Sequence, residues 1–192
     1  MHGGDTFKTY GDYLSFLADY KIDSLAYFKG NIGWQDTLQE KLGDDFEVIA
    51  PKMPNKINAK YAEWKIWFEK LIPLLNHELI LIGYSLGGIF LAKYLSENIM
   101  PKKITCVYLV AAPHDETDTE SLADFILPSQ LTKLAEQAPN IHLYHSKDDS
   151  VVQFSDLEKY QKELPGAIAT IFEDRGHFWQ ENFPELINDI LK

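Results

Sequence analysis

Short apolar runs alternate with stretches of helical periodicity along most of the chain. Residues 46–50, Phe-Glu-Val-Ile-Ala, read as a strand closed by Pro51 and Pro54, neither of which can donate to a ladder. Across residues 59–75, Trp64, Trp67, Phe68, Leu71 and Leu75 recur at three- and four-residue steps. That spacing predicts a helix with one apolar face, and its aromatic stripe reads as core packing. A strand over 78–83 and a helix over 87–98 follow, then strands over 104–110, 141–145 and 167–172. Helices are expected over 155–164, where Ser155 and Glu158 suggest a capping box, and over 183–191, with Pro184 in the first turn. Upstream, Phe7, Tyr10, Tyr13, Leu14 and Leu17 predict an amphipathic helix over 7–20, which would border the active site or pack on the sheet, packing being the expected role.

Strands that are apolar on both faces and alternate with helices predict an α/β fold. The expected architecture is a three-layer sandwich, a mostly parallel sheet with helices on both faces. A length of 192 residues fits one domain spanning 1–192, and no repeat, low-complexity tract or interdomain linker interrupts it. In such sheets the working groups lie at the carboxyl ends of the strands.

Those ends carry the chemistry. Gly83-Tyr84-Ser85-Leu86-Gly87 matches the G-x-S-x-G nucleophile elbow, with an apolar strand running in and a helical pattern running out. The serine of such an elbow occupies a strained turn, and the free amides of the following helix face the place where an oxyanion develops. Leu86, just after the nucleophile, is one expected donor. A serine nucleophile needs a histidine base and a carboxylate that orients it, in the chain order serine, acid, histidine. Four histidines follow Ser85. His114 precedes any candidate acid strand, and His142 and His145 lie in or at the end of a strand before the best acids. His177, between the last strand and the last helix, remains as the base. The adjacent carboxylates Asp148 and Asp149 follow a strand end, and in a turn only one of them can face His177.

With these residues the sequence resembles the α/β-hydrolase superfamily, and more narrowly the compact serine hydrolases of the retinoblastoma-binding-protein-9 type and their bacterial relatives. The likeness runs from about Trp34 to the C-terminus and includes residues 46–54, the elbow, the Asp148-Asp149 pair and Gly176-His177-Phe178. It implies esterase-like activity on small acyl esters without metal or organic cofactor. The relatives' H-G-x-x-D-x-x-V pattern, laid on His145 to Val152, selects Asp149 as the acid and leaves Asp148 as a turn residue. Their first strand leads into a glycine-rich loop that supplies the second oxyanion donor. Here His2-Gly3-Gly4-Asp5-Thr6 resembles that loop with only Met1 before it, so the first strand lies upstream or the protein does without it. The Gly4 amide is the candidate donor. The alternative loop is residues 29–33, with 24–28 as the strand before it and a helix from Trp34 after it.

Residues 112–139 leave room for a short cap, which favours small or flexible substrates. Its acidic cluster, Asp115, Glu116, Asp118 and Glu120, reads as a solvated loop rather than a cation site. The net charge of −11, with no offsetting basic patch, argues against nucleic-acid and anionic-membrane partners and suits a small neutral ester. The single cysteine, Cys106, sits in an apolar run and reads as a core residue; no intrachain disulfide can form. No apolar stretch reaches a membrane span and no signal peptide is visible, so a cytoplasmic location is expected. The leading reading is a carboxylic-ester hydrolase using Ser85, His177 and Asp149, with Leu86 and Gly4 at the oxyanion. A thioesterase or peptidase could use the same groups, and the rival class is a non-catalytic binding protein on the same fold. The sequence leaves oligomeric state open.

Overall fold

The computed structural model describes residues 1–30, 32–117 and 121–192. Among these, four strands form one parallel sheet in the order β1 (Glu78–Tyr84), β2 (Lys103–Val110), β3 (Ile141–Ser146) and β4 (Ile168–Phe172). The helices are α1 (Tyr10–Asp19), α2 (Trp34–Leu42), α3 (Tyr61–Leu71), α4 (Leu86–Glu97), α5 (Thr132–Gln137), α6 (Phe154–Glu163) and α7 (Pro184–Ile190). Parallel neighbours require a crossover between them, and α4, α5 and α6 lie in those crossovers.

The two-residue period of β2 divides the core. Val107 and Leu109 point into one layer with Trp64 and Phe68 of α3, Ile89 and Phe90 of α4, Leu134 of α5 and Leu157 of α6. Cys106, Tyr108 and Val110 point to the other face, against Trp34 and Leu38 of α2 and Leu186 and Ile190 of α7. The three-layer α/β sandwich is therefore present, with helices on both faces. Cys106 is buried, and burial pushes its thiol pKa up. Among the described residues no helix is long and apolar enough to cross a membrane.

Several local expectations differ from the structure. Residues 46–50 are not a strand. Gln39 of α2 takes over their backbone groups: its amide donates to Phe46 O at 2.9 Å, and its carbonyl accepts the Val48 N–H at 2.9 Å. On the outer edge of β1, Met1 pairs at the carboxyl end, donating to Ile82 O at 2.6 Å and accepting from Tyr84 N at 3.1 Å. The helix expected over 59–75 begins at Tyr61 and gives way to a 3-10 turn over Ile72–Leu74, because Pro73 has no N–H to donate. Helix α6 starts one residue earlier than expected and Ser155 does not cap it; the Gln153 carbonyl accepts the Asp156 N–H at 3.0 Å instead. Residues 24–28 are not a strand; Ser24 precedes a 3-10 turn, Leu25–Lys29. Helix α1 starts at Tyr10 because Thr9 and Asp12 form a reciprocal capping box, and none of its residues is buried, so it does not pack on the sheet. The cap region carries a 3-10 turn, Ala123–Phe125, and α5; its Leu122, Phe125, Leu131 and Leu134 are buried in the core. In its acidic cluster Asp115 pairs with Lys159 and Glu116 with Lys8, while Asp118 and Glu120 lie outside the described residues.

Two measurements check this packing. Trp64 is fully buried, its ring centroid 5.3 Å from that of Phe125 and 5.5 Å from that of His2, and its indole N–H donates to Pro54 O at 2.8 Å. Trp64→Ala is expected to lower the unfolding free energy by about 3–5 kcal/mol in a urea titration. Burial holds His2, His142 and His145 below the ordinary histidine value of 6.5. The unfolded chain therefore binds protons that the folded chain refuses. Their contribution to stability is complete above pH 6.5 and is lost as pH falls below it, towards the folded values. The urea midpoint is expected to drop between pH 7.5 and pH 5.5, and to drop less in His145→Gln.

Candidate active site

β1 ends at Tyr84 and α4 begins at Leu86, so Ser85 alone makes the turn between them. Its backbone is left-handed, with φ 52° and ψ −125°, a conformation a serine holds only under tertiary constraint. The turn is tied to β2 by Ser85 N–H donating to Val110 O at 2.8 Å, and closed by Gly88 N–H donating to Ser85 O at 2.8 Å. Gly87 lies directly under the N-terminal segment. A Cβ there would fall 2.5 Å from His2 O, which no larger residue could tolerate.

Beyond β3 the chain turns through Asp148 and Asp149, and beyond β4 through His177. His177 Nε2 lies 3.0 Å from Ser85 Oγ, and its Nδ1 lies 2.8 Å from Asp149 Oδ2. Nδ1–H facing a carboxylate leaves the Nε2 lone pair to accept the serine hydroxyl proton. Ser85 and His177 are buried, and the Asp149 side chain is fully so. The Asp149 carboxylate is satisfied on its other oxygen, Oδ1, by the amides of Val151 and Val152 at 2.8 and 2.9 Å. Asp148 faces elsewhere: it accepts from Ser146 Oγ at 2.5 Å and from Gly176 N–H at 2.8 Å. Those bonds hold its carboxyl below the usual carboxylate range, the Ser146 hydroxyl contributing most. Of the two adjacent aspartates, Asp149 is thus the one beside His177.

The loop that carries His177 is fixed from several sides. Tyr84 Oη donates to His177 O at 2.6 Å, Trp34 Nε1 donates to Phe178 O at 3.1 Å, and Arg175 N–H donates to Ser146 Oγ at 2.9 Å. Gly176 and Phe178 both have positive φ, 51° and 55°, and the Phe178 ring is buried against Phe172 and Phe183. Burial pushes the Tyr84 phenol well up, with the Asp149 charge adding to it, so Tyr84 acts here as a neutral donor. Buried His145 stands behind the acid; its Nε2–H donates to Val152 O at 3.0 Å and lies 3.8 Å from Asp149 Oδ2.

The His2 loop approaches from the other side. Its ring bonds in both directions, Nδ1–H to Gly3 O at 2.6 Å and Nε2 accepting the Met53 N–H at 2.9 Å. Gly3 is the residue pressed against the serine: a Cβ there would sit 2.9 Å from Ser85 Cβ. Gly4 lies beside Leu86, and among the described residues neither the Gly4 nor the Leu86 amide donates to a protein acceptor. In the alternative loop, residues 29–33, Gly30 has nothing within 4 Å of its Cβ position, and Asn31 lies outside the described residues. The sequence reasoning missed Gly3, Trp34, Ser146 and the role of Tyr84. Only Tyr84 carried a signal, by its place inside the elbow.

The arrangement places an imidazole nitrogen within hydrogen-bond reach of Ser85 Oγ, where it can take up the hydroxyl proton. Its fold is shared with solved structures. The product of the Bacillus subtilis ydeN gene superposes with a TM-score of 0.76 at 21% identity, covering 83% of this chain and 89% of that one. A YdeN-like hydrolase from Pectobacterium atrosepticum gives 0.57 at 15% identity, covering 72% and 71%. In sequence, the chain is 27% identical to the serine hydrolase RBBP9 of Rattus norvegicus over 157 residues, which are 81% of this chain and 83% of that protein. Residues 29–183 match the family described as serine hydrolase, and the chain belongs to that family.

Proposed function

We propose that the protein is a carboxylic-ester hydrolase that works through an acyl-enzyme on Ser85. The observation that carries this is the hydrogen-bonded series Ser85 Oγ, His177, Asp149, with separations of 3.0 and 2.8 Å, on a serine held at φ 52°. His177 Nε2 takes the hydroxyl proton as Oγ attacks the acyl carbonyl carbon. The carbonyl oxygen becomes an oxyanion to which the amides of Leu86 and Gly4 donate. When the intermediate collapses, His177 returns the proton to the leaving alkoxide. Water then attacks the acyl carbon as His177 takes its proton, and collapse of this second intermediate returns the proton to Ser85 Oγ and releases the acid. Asp149 holds the imidazole in the required tautomer and balances its charge while it is protonated. The surface charge of −11 supports a small neutral ester as substrate rather than a nucleic acid or an anionic membrane.

Hydrolysis of p-nitrophenyl acetate and butyrate tests this. Ser85→Ala is expected to lower kcat/KM by at least about 10³-fold, and to abolish labelling by a fluorophosphonate. Equal rates in both proteins would remove Ser85 from the mechanism. The two adjacent aspartates separate the roles further. Asp149→Asn is expected to lower kcat by about 10³–10⁴-fold, because the amide leaves His177 in the wrong tautomer. Asp148→Asn keeps an acceptor for Gly176 and is expected to lower kcat by less than about tenfold. The reverse order in steady-state kinetics would make Asp148 the acid.

A further inference from the structure

The stretch of chain that leans on Ser85 is poor in side chains. Upstream of it, Met1 is paired to β1 through Ile82 O and the Tyr84 N–H. Downstream, Asp5 N–H donates to Lys56 O at 2.9 Å, Asp5 O accepts the Ala59 N–H at 2.8 Å, and the Thr6 hydroxyl donates to Ala59 O at 2.9 Å. Between these anchors lie His2, Gly3 and Gly4. Among the described residues neither glycine makes a backbone–backbone hydrogen bond. Both are nevertheless wedged. A Cβ on Gly3 would sit 2.9 Å from Ser85 Cβ and 3.4 Å from Ser85 Oγ. One on Gly4 would sit 2.5 Å from Lys56 O and 3.5 Å from Leu86 Cδ2. Two glycines in a row have wide backbone freedom, so the one side chain in the stretch, that of His2, decides how firmly it lies against the serine.

His2 is braced in three directions. Its Nδ1–H donates to Gly3 O at 2.6 Å, its Nε2 accepts the Met53 N–H at 2.9 Å, and its ring stands edge-on to the buried Trp64 ring, with centroids 5.5 Å apart. A peptide N–H can only donate, so Nε2 has to be bare and the proton has to sit on Nδ1. A doubly protonated ring would turn one N–H toward another, and the tie to Met53 would be lost. Burial holds the ring below the ordinary histidine value of 6.5; the bond to Gly3 O opposes this, and the charges of Lys56 and the Met1 α-amine add to it. The other neighbours are uncharged: α3 presents the Trp64 ring and α4 the bare backbone of Gly87. The tie is therefore complete above pH 6.5 and is lost as pH falls through the lowered value.

We propose that His2 is a positioning residue for Ser85: its neutral ring ties the Gly3–Gly4 stretch to Met53, and without that tie the stretch lifts from the serine and turnover slows. This rests on the reading of Ser85 as the nucleophile of an ester hydrolase. His2 touches neither the substrate nor the reacting atoms; it acts through Gly3, whose backbone lies against the Ser85 side chain. A small misplacement of such a neighbour is enough to cost rate, because the reacting groups have to be held in one geometry.

The experiment follows p-nitrophenyl butyrate hydrolysis as a function of pH in the unaltered protein, His2→Phe and His2→Gln. Fluorophosphonate labelling of Ser85 runs alongside, and near-ultraviolet circular dichroism checks the fold at each pH. Phenylalanine keeps a ring against Trp64 and removes both hydrogen bonds; glutamine offers an acceptor to the Met53 N–H and does not titrate. Well above pH 6.5, His2→Phe is expected to lower kcat at least about tenfold with KM changed less than about threefold, and His2→Gln to recover at least about fivefold of that loss. Below pH 6.5, kcat of the unaltered protein is expected to fall at least about threefold further than that of His2→Gln. Lys56 and the Met1 α-amine are present in both, so the difference between the two curves belongs to His2. The Met53 amide resonance is expected to titrate with a midpoint below 6.5 in the unaltered protein and to stay still in His2→Gln. A labelled protein in which His2→Phe keeps full kcat, or in which glutamine recovers nothing, overturns this inference and leaves the hydrolase reading standing. So do superimposable pH curves for the unaltered protein and His2→Gln, or a Met53 amide that does not move. If His2→Phe does not fold, the two curves and the Met53 titration decide. A protein that neither labels nor turns over any ester overturns both readings.

Discussion

The backbone of Ser85 is the constraint to which the rest of the molecule answers. A left-handed serine costs on the order of 1–3 kcal/mol, and nothing local to the residue supplies that. It is held because β1 is paired along β2 up to Tyr84 and because α4, starting one residue later, is almost wholly buried. Ile89, Phe90 and Leu91 fix the helix from below, and the bond from Ser85 N–H to Val110 O fixes the turn from the side. The strand cannot shift without moving the helix, and the helix cannot shift without opening the core it shares with α3. The position of one hydroxyl oxygen is therefore a property of the whole sheet-and-helix layer.

How much of this could be read from the chain follows from what each part depends on. The four strands and α4 were legible because each is a run of apolar residues long enough to leave a pattern in the sequence, and the elbow was legible because its turn tolerates few residue types. The segment over 46–50 has the apolar content of a strand, yet a side chain eight residues or so away, Gln39, captured its backbone groups. Nothing in residues 46–50 announces that. The amphipathic pattern of α1 reported its helicity correctly and its environment wrongly, since periodicity records which side is apolar and not whether anything covers it. Gly3 was hidden for a different reason. Two adjacent glycines look alike in sequence, and only the approach of the Ser85 side chain distinguishes the first.

The loops after β3 and β4 interlock through the two neighbouring aspartates. Asp148 binds the backbone on which His177 is mounted, through Gly176, while Asp149 binds the ring itself. Ser146, at the end of β3, joins the same set by accepting from Arg175 and donating to Asp148. Position and orientation of the imidazole are thus set by separate carboxylates one residue apart. Tyr84 adds a tie from inside the elbow to the His177 carbonyl, so the serine turn and the histidine loop brace each other directly.

The bonds that complete the site join residues far apart in the chain: Ser85 to His177 across 92 positions, Tyr84 to His177 across 93, and Trp34 to Phe178 across 144. The ribosome makes the chain from its amino end. The elbow, α4 and the first three strands can therefore assemble while the histidine loop is still unmade, and Trp34 waits for its acceptor through most of translation. Closing contacts of that span comes late in folding, because their entropy of closure has no local reward. A nascent chain of this protein would carry its serine, packed and strained, well before the His177 ring could stand beside it, and the site would be assembled only once the last strand and the loop beyond it had left the ribosome.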